Sequence, residues 1–233
     1  KERICDYIFK MKKEQLTPHL YDECKWAFRG GFTHANPFHN GREAYGVTSY
    51  DLTSAYPSVM LTEQYPTGEP ELINLDNFKP GAFDWFIEHR CCLFRATFKY
   101  LREKEDVADN YISWIPNKME ATKLGQLNNG RVTTAESLTM YMTDVDFKII
   151  RQTYDWNELY VNDMVIWFKN YLPTAFIQCV LDFYKNKTTL KGTERKIEYQ
   201  NNKCMLNSTY GMGVQDPCKD ENVYDGEWDT LPV

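Results

Sequence analysis

Three short stretches carry residue types whose spacing suits phosphate and metal chemistry. The first is YDLTSAYPSVM, residues 50–60. Val47, Ser49 and Asp51 alternate with Thr48, Tyr50 and Leu52, which predicts a strand ending near Asp51. A carboxylate at a strand end is a hard oxygen ligand for Mg²⁺. The Leu52 carbonyl offers a second oxygen, since Mg²⁺ takes few protein ligands and shares its sphere with substrate phosphates. The chain breaks at Tyr56-Pro57, so Tyr56 lies in the turn over such a site, and a helix can begin at 58–61. A lone strand-end Asp more often only caps a turn; the full D-x-x-S-x-Y-P-S string sets this one apart.

The second stretch is KCMLNSTYGMG, residues 203–213. At helical spacing Lys203, Asn207, Tyr210 and Gly211 share one face, and Lys196 falls on the same stripe. That face offers a point charge for phosphate, an amide, and a phenol ring beside a gap on which a base pair can pack. Alone, Lys203 would be a solvated lysine and Gly211 a helix stop; neither explains Asn207 and Tyr210 on the same stripe. Between Lys185 and Lys203 stand six cations (Lys185, Lys187, Lys191, Arg195, Lys196, Lys203) and two anions (Glu194, Glu198), a local +4 in a chain of net charge −6. The third stretch is FRGG, residues 28–31. Paired glycines predict a tight turn or bulge whose backbone N–H groups can approach a partner closely, and Arg29 adds charge.

The elements that must position these residues follow from periodicity. Helices are expected over 4–14, 145–154 (capped by Thr143 or Asp144), about 173–187 with Pro173 near the first turn, and about 193–212 with Thr193 as N-cap. The last two, joined by the TTLKG turn, form a helical hairpin. Strands are expected over 91–101, 111–116, 136–143 and 158–170. Residues 16–26 are irregular or short-helical, 62–87 are loop-rich, with Pro66, Pro70 and Pro80, and 214–233 are loop with short strands.

With 233 residues, 42% hydrophobic and 15% aromatic, the chain is neither disordered nor low in complexity. No run of about 18 apolar residues exists to span a membrane. The acidic balance excludes a uniformly basic nucleic-acid coat but leaves room for a local basic groove. Seven cysteines without a C-x-x-C pattern argue against zinc and suit reduced thiols in a cytoplasmic protein. His34 and His39 are expected to be plain loop residues.

DLTSAYPS resembles motif A of family B DNA polymerases, KCMLNSTYG resembles their motif B, and FRGG resembles the Y-x-G-G turn that precedes motif A. The likeness is to the protein-primed phage type and covers about 25–213. It implies an α/β (α+β) fold, a partial palm sheet with a two-helix fingers hairpin. Palm with the FRGG turn and motif A would occupy 1–60, palm and a priming-type insertion 61–170, fingers with motif B 171–213, and the next segment 214–233. Asp51 would be the catalytic, metal-binding aspartate of a site that holds two Mg²⁺ ions in the full-length enzyme. Leu52, Ser54, Tyr56, Lys187, Lys196, Lys203, Asn207, Tyr210 and Gly211 would bind nucleotide. Tyr56 would be the steric gate, Lys203 and Lys187 the triphosphate contacts, and Asn207, Tyr210 and Gly211 the base-pair platform. Phe28, Arg29, Gly30 and Gly31 would touch DNA. Implied partners are template-primer DNA, deoxynucleoside triphosphates and a terminal priming protein, in the cytoplasm of a bacterial host.

Ala55 stands where the family usually has Leu, and Phe28 where it has Tyr; neither change removes a charge or a ligand. The family's second carboxylate motif, Y-x-D-T-D-S, is not found after motif B, and the exonuclease carboxylates are missing too. TDVD at 143–146 precedes motif B and is expected to cap a helix, Asp144 and Asp146 serving as first-turn acids. The chain therefore looks like the middle of a polymerase, inactive by itself. The alternative is a noncatalytic DNA- or protein-binding prophage remnant.

Overall fold

A computed structural model describes residues 16–33, 39, 41–105, 107, 110–214, 220–224 and 228–232. The helix expected over 4–14, His34, Cys5 and Cys218 lie outside the described residues. In chain order the elements are α1 (Pro18–Ala27), α2 (Ala55–Thr62), β1 (Tyr65–Ile73), a 3₁₀ turn (Leu75–Asn77), α3 (Ala82–His89), β2 (Cys91–Glu103), β3 (Met119–Thr122), β4 (Thr134–Thr143), α4 (Asp144–Thr153), β5 (Tyr154–Asp155), β6 (Glu158–Asn170), α5 (Thr174–Leu190), α6 (Lys196–Val214), β7 (Asp220–Tyr224) and β8 (Trp228–Pro232). They divide into two compact units. Gln15–Tyr50 with Tyr65–Asn170 form one, and Asp51–Gln64 with the chain from Tyr171 onward belong to the other.

The larger unit is built on an antiparallel sheet of order β1-β6-β2-β4-β3, with β5 paired to β2. Along the middle of its central strands successive side chains alternate between the two faces. Cys92, Phe94, Ala96 and Phe98 of β2, Met140 and Met142 of β4, and Met164 and Ile166 of β6 point into one core, with Phe86 and Ile87 of α3 and Phe147 and Ile150 of α4. Their neighbours Cys91, Leu93, Tyr141, Val165 and Trp167 point the other way and meet Leu20 and Ala27 of α1. Helix α4 opens on a capping box. The Thr143 hydroxyl accepts from the Asp146 amide at 3.2 Å, and the Asp146 carboxylate accepts from the Thr143 amide at 2.9 Å. Thr143, rather than Asp144, is the cap. Asp144 instead turns inward, where its carboxylate accepts from the Cys92 amide (2.9 Å) and the Lys169 ammonium (3.0 Å).

Strands β2, β4 and β6 and helices α4 and α5 form where periodicity places them; α6 does so too but begins at Lys196, so Thr193 is not its N-cap. Four further expectations are corrected. Residues 62–87 hold β1 and α3 rather than loop. Pro66 and Pro70 fit β1 because it is an edge strand, and the register shifts between Thr67 and Glu71. Residues 111–116 are no strand but carry one bridge, Ser113 to Arg131, with Trp114 and Val132 amides donating to Gly130 and Ile112 carbonyls. The 46–52 stretch forms no strand and pairs with none that is described, and a strand needs a neighbour to satisfy its N–H and C=O groups. FRGG forms no tight turn: Phe28 is extended and Gly30 has no left-handed φ.

Candidate functional site

In the smaller unit, α5 and α6 form the expected hairpin, but α5 runs on to Leu190, so the turn begins at Lys191 rather than at TTLKG. Phe176 and Val180 of α5 and Leu206 of α6 are its buried centre, and Met60 and Leu61 of α2 pack against them. That contact brings the start of α2, the D-x-x-S-x-Y-P-S turn, onto the helical hairpin. The Tyr56 ring stacks on Tyr210 with centroids 4.1 Å apart and planes inclined by 17°. Burial, and then the neighbouring Tyr56 phenol, raise the pKa of Tyr210. The Lys187 ammonium donates to the Ser54 hydroxyl at 2.7 Å and lies 4.9 Å over the Tyr184 ring.

Ser54 is the N-cap of α2 and sits in the left-handed region (φ 54, ψ 52) without a side-chain capping bond. A non-glycine residue there is strained by about 1–2 kcal/mol. Its hydroxyl is thus released from capping and held by Lys187, while its carbonyl accepts from the Ser58 amide at 3.0 Å. Three residues upstream Asp51 is exposed and makes no hydrogen bond or ion pair with a described residue; Leu52 is exposed as well. Asp51 is therefore not at a paired strand's end.

Along α6, Lys203, Asn207 and Gly211 are exposed and Tyr210 is half-buried, on the face that Tyr56 covers at one end. At 1.5 Å per residue Lys203 stands ~10 Å along the axis from Tyr210, and Lys196 ~10 Å further. Lys196 is thus the more remote of the two. Arg195 is bound to Glu198 and so adds little free charge.

Tyr56 meets Tyr210 and Lys187 meets Ser54 directly, and Asp51, Leu52, Lys203, Asn207, Gly211 and Lys196 belong to the same unit. Phe28, Arg29, Gly30 and Gly31 belong to the other. There Arg29 departs from its expected outward role. Its guanidinium is largely buried, donates to the Tyr141 carbonyl at 3.0 Å, and has Nε and Nη1 buried without a partner. Burial lowers its pKa, against the pull of nearby Asp146 and Tyr111. Periodicity did not single out Lys118 or Arg131, whose side chains hold the backbone on either side of the two glycines. Both stand in mostly polar stretches, PNKME and NNGRVTT, where nothing in the sequence sets them apart.

Among the described residues no group of three or more His, Cys, Asp or Glu side chains could hold a metal ion. Asp51 supplies one hard oxygen donor, so the donor set fits a two-ion centre only in part. No helix of the described residues is long and apolar enough to cross a membrane.

The family described as DNA polymerase type B, organellar and viral, matches residues 4–227. The chain belongs to this polymerase family. It is 29% identical over 197 residues to the DNA polymerase of Bacillus phage Nf, covering 84% of this chain and 31% of that protein. It is 26% identical over 217 residues to the DNA polymerase of Bacillus phage phi29, covering 93% and 35%. The structure of phi29 DNA polymerase complexed with primer-template DNA and incoming nucleotide substrates superposes with a TM-score of 0.72 at 20% identity, over 100% of this chain and 39% of that one. The chain thus shares the fold of part of a type B polymerase and spans about a third of the length of these relatives. Membership implies use of divalent metal.

Proposed function

We propose that this chain is the nucleotide-selecting part of a DNA-directed DNA polymerase that adds deoxynucleotides to a primer 3′-hydroxyl, or to the hydroxyl of a terminal priming protein, inside a bacterial host. The observation that carries this is the seating of the motif A turn on the motif B helix, through the Tyr56–Tyr210 stack and the Lys187–Ser54 bond. The larger unit's sheet corresponds to palm and insertion, and α5–α6 to the fingers.

The geometry supports a distinct task for each residue. Tyr56 is the steric gate beneath the sugar. Its stack on Tyr210 keeps the ring from swinging aside for a 2′-hydroxyl, and such a stack contributes about 0.5–1.5 kcal/mol beyond burial. Lys187 has three ammonium donors and spends one on Ser54, leaving two for phosphate oxygens. Lys203 supplies the second phosphate contact and Lys196 an outlying one. Tyr210, Asn207 and Gly211 form the platform for the nascent base pair, and Leu52 and Ser54 line the turn beside it. Asp51 is the catalytic carboxylate and one ligand of the Mg²⁺ pair, which supplies charge neutralisation for phosphoryl transfer when bound. Phe28, Gly30 and Gly31 contact template-primer DNA, with Arg29 holding their segment from behind.

With one carboxylate of the expected set, the chain alone does not polymerise. A primer-extension assay on the purified chain tests this: no Mg²⁺-dependent, templated product is expected, and its appearance would refute the half-site assignment. In a polymerase containing this chain, Asp51→Ala is expected to abolish turnover with DNA affinity preserved.

A further inference from the structure

The segment that leaves α1 is fastened at both ends by cations distant in sequence. At its start, Lys118 Nζ donates to the carbonyls of Lys25 (2.5 Å) and Phe28 (2.8 Å). Carbonyls in a helix's last turn lack intrahelical partners, and the helix dipole favours a cation there. At its end, Arg131 donates through Nη2 to the Thr33 carbonyl (2.7 Å) and through Nη1 to the Tyr111 carbonyl (2.8 Å). The Arg131 guanidinium also lies 4.3 Å over the Phe32 ring, which stacks on Tyr111. Tyr111 is anchored in turn, donating to Asp146 at 2.5 Å. Between the fastenings, Gly30 and Gly31 are exposed and make no hydrogen bond with a described residue; a Cβ added at Gly30 would meet nothing within 4 Å.

We infer that Lys118 and Arg131 are positioning residues for DNA contact: they hold the Phe28–Thr33 backbone so that the open Gly30–Gly31 span is presented to a nucleic-acid backbone. This rests on the DNA-contacting role proposed above for that segment. Lys118 spends two of its three ammonium donors on protein carbonyls, and Arg131, with two of its donors engaged in the same way, is only 6% exposed. The part inferred for them is to hold this backbone rather than to bind phosphate. Glycine's lack of a side chain admits close approach, and the fastening removes the conformational freedom glycine would otherwise lose on binding.

The test is fluorescence anisotropy of a primer-template duplex titrated with the whole chain, as Lys118→Met, Lys118→Arg and Arg131→Lys, over a range of salt. Lys118→Met is expected to raise Kd about tenfold while the slope of log K against log salt stays that of the unaltered chain. Lys118→Arg, which can still reach two carbonyls, recovers most of the loss. Arg131→Lys keeps the charge but loses the fork that spans Thr33 and Tyr111, and weakens binding likewise. A slope reduced by about 0.9, the signature of one lost phosphate contact, would overturn the inference, as would an unchanged Kd. Hydrogen exchange without DNA separates the two layers. In Lys118→Met the amides of 29–33 should exchange faster while those of β2 and β4 do not. Unchanged exchange refutes the fastening itself. Absence of DNA binding by the unaltered chain, with fastening intact, refutes the DNA-contact role and the positioning with it.

Discussion

Ser54 sets the turn between Asp51 and Tyr56, and its conformation can be tested by a double-mutant cycle with Lys187. A hydrogen bond to a charged group contributes roughly 1.5–3 kcal/mol when well buried. Lys187 is half-buried, so about 1 kcal/mol is expected for its 2.7 Å bond to the Ser54 hydroxyl. Ser54→Ala removes the acceptor but keeps the strained φ of 54°; Lys187→Met removes the donor but keeps the stem. The two losses, measured by urea denaturation of the chain, should fall short of additivity by about 1 kcal/mol in the double variant. Ser54→Gly loses the same bond yet relieves roughly 1–2 kcal/mol of left-handed strain, part of which returns as unfolded-chain entropy. It should therefore be more stable than Ser54→Ala by about 0.5–1 kcal/mol. Additivity within about 0.3 kcal/mol, the level seen for uncoupled sites, would refute the bond. Glycine no better than alanine would refute the strain.

Two further outcomes concern the sheet unit. Lys169→Met leaves the 7%-exposed Asp144 side chain with the Cys92 amide but no cation. Stability should fall by about 3 kcal/mol in urea denaturation, with part recovered by adding Asp144→Asn, because an unpaired buried charge costs more than the pair gains; a loss under 1 kcal/mol would contradict the pairing. Burial raises the Tyr154 phenol from 10.0 to about 12. Its folded pKa lies above the unfolded one, so its contribution is complete below pH 10 and falls as pH rises toward 12, by about 2–3 kcal/mol in all. The urea midpoint of Tyr154→Phe should therefore drop less between pH 10 and 12 than that of the unaltered chain, and parallel curves would contradict this.

Periodicity made much of this architecture legible because β2, β4 and β6 are covered on both faces and α4 has an apolar stripe with a capping box. It failed where the deciding factor was a neighbour. Val47–Leu52 alternates like a strand, yet no described strand pairs with it. Tyr65–Ile73 contains two prolines and still forms a strand, because it lies at the sheet's edge. Met119–Thr122 is too short to show a period. In the site, the stripe of Lys203, Asn207, Tyr210 and Gly211 follows from helical spacing, but spacing does not say which element covers it. The bond between Ser54 and Lys187 joins residues 133 apart in sequence, and only tertiary packing could reveal it. Arg29 misled for the same reason: a charged residue beside two glycines suggests exposure, whereas the Tyr141 carbonyl draws it inward.

Calorimetric titration of the chain with a deoxynucleoside triphosphate and Mg²⁺, compared with Lys203→Ala, tests most directly whether the motif A turn and the α6 stripe make one nucleotide site. The triphosphate should bind the unaltered chain and lose about tenfold in affinity, roughly 1.4 kcal/mol, in the variant, while the nucleoside without phosphates discriminates between neither. Equal triphosphate affinity in the two proteins, or none in the unaltered chain, would contradict it.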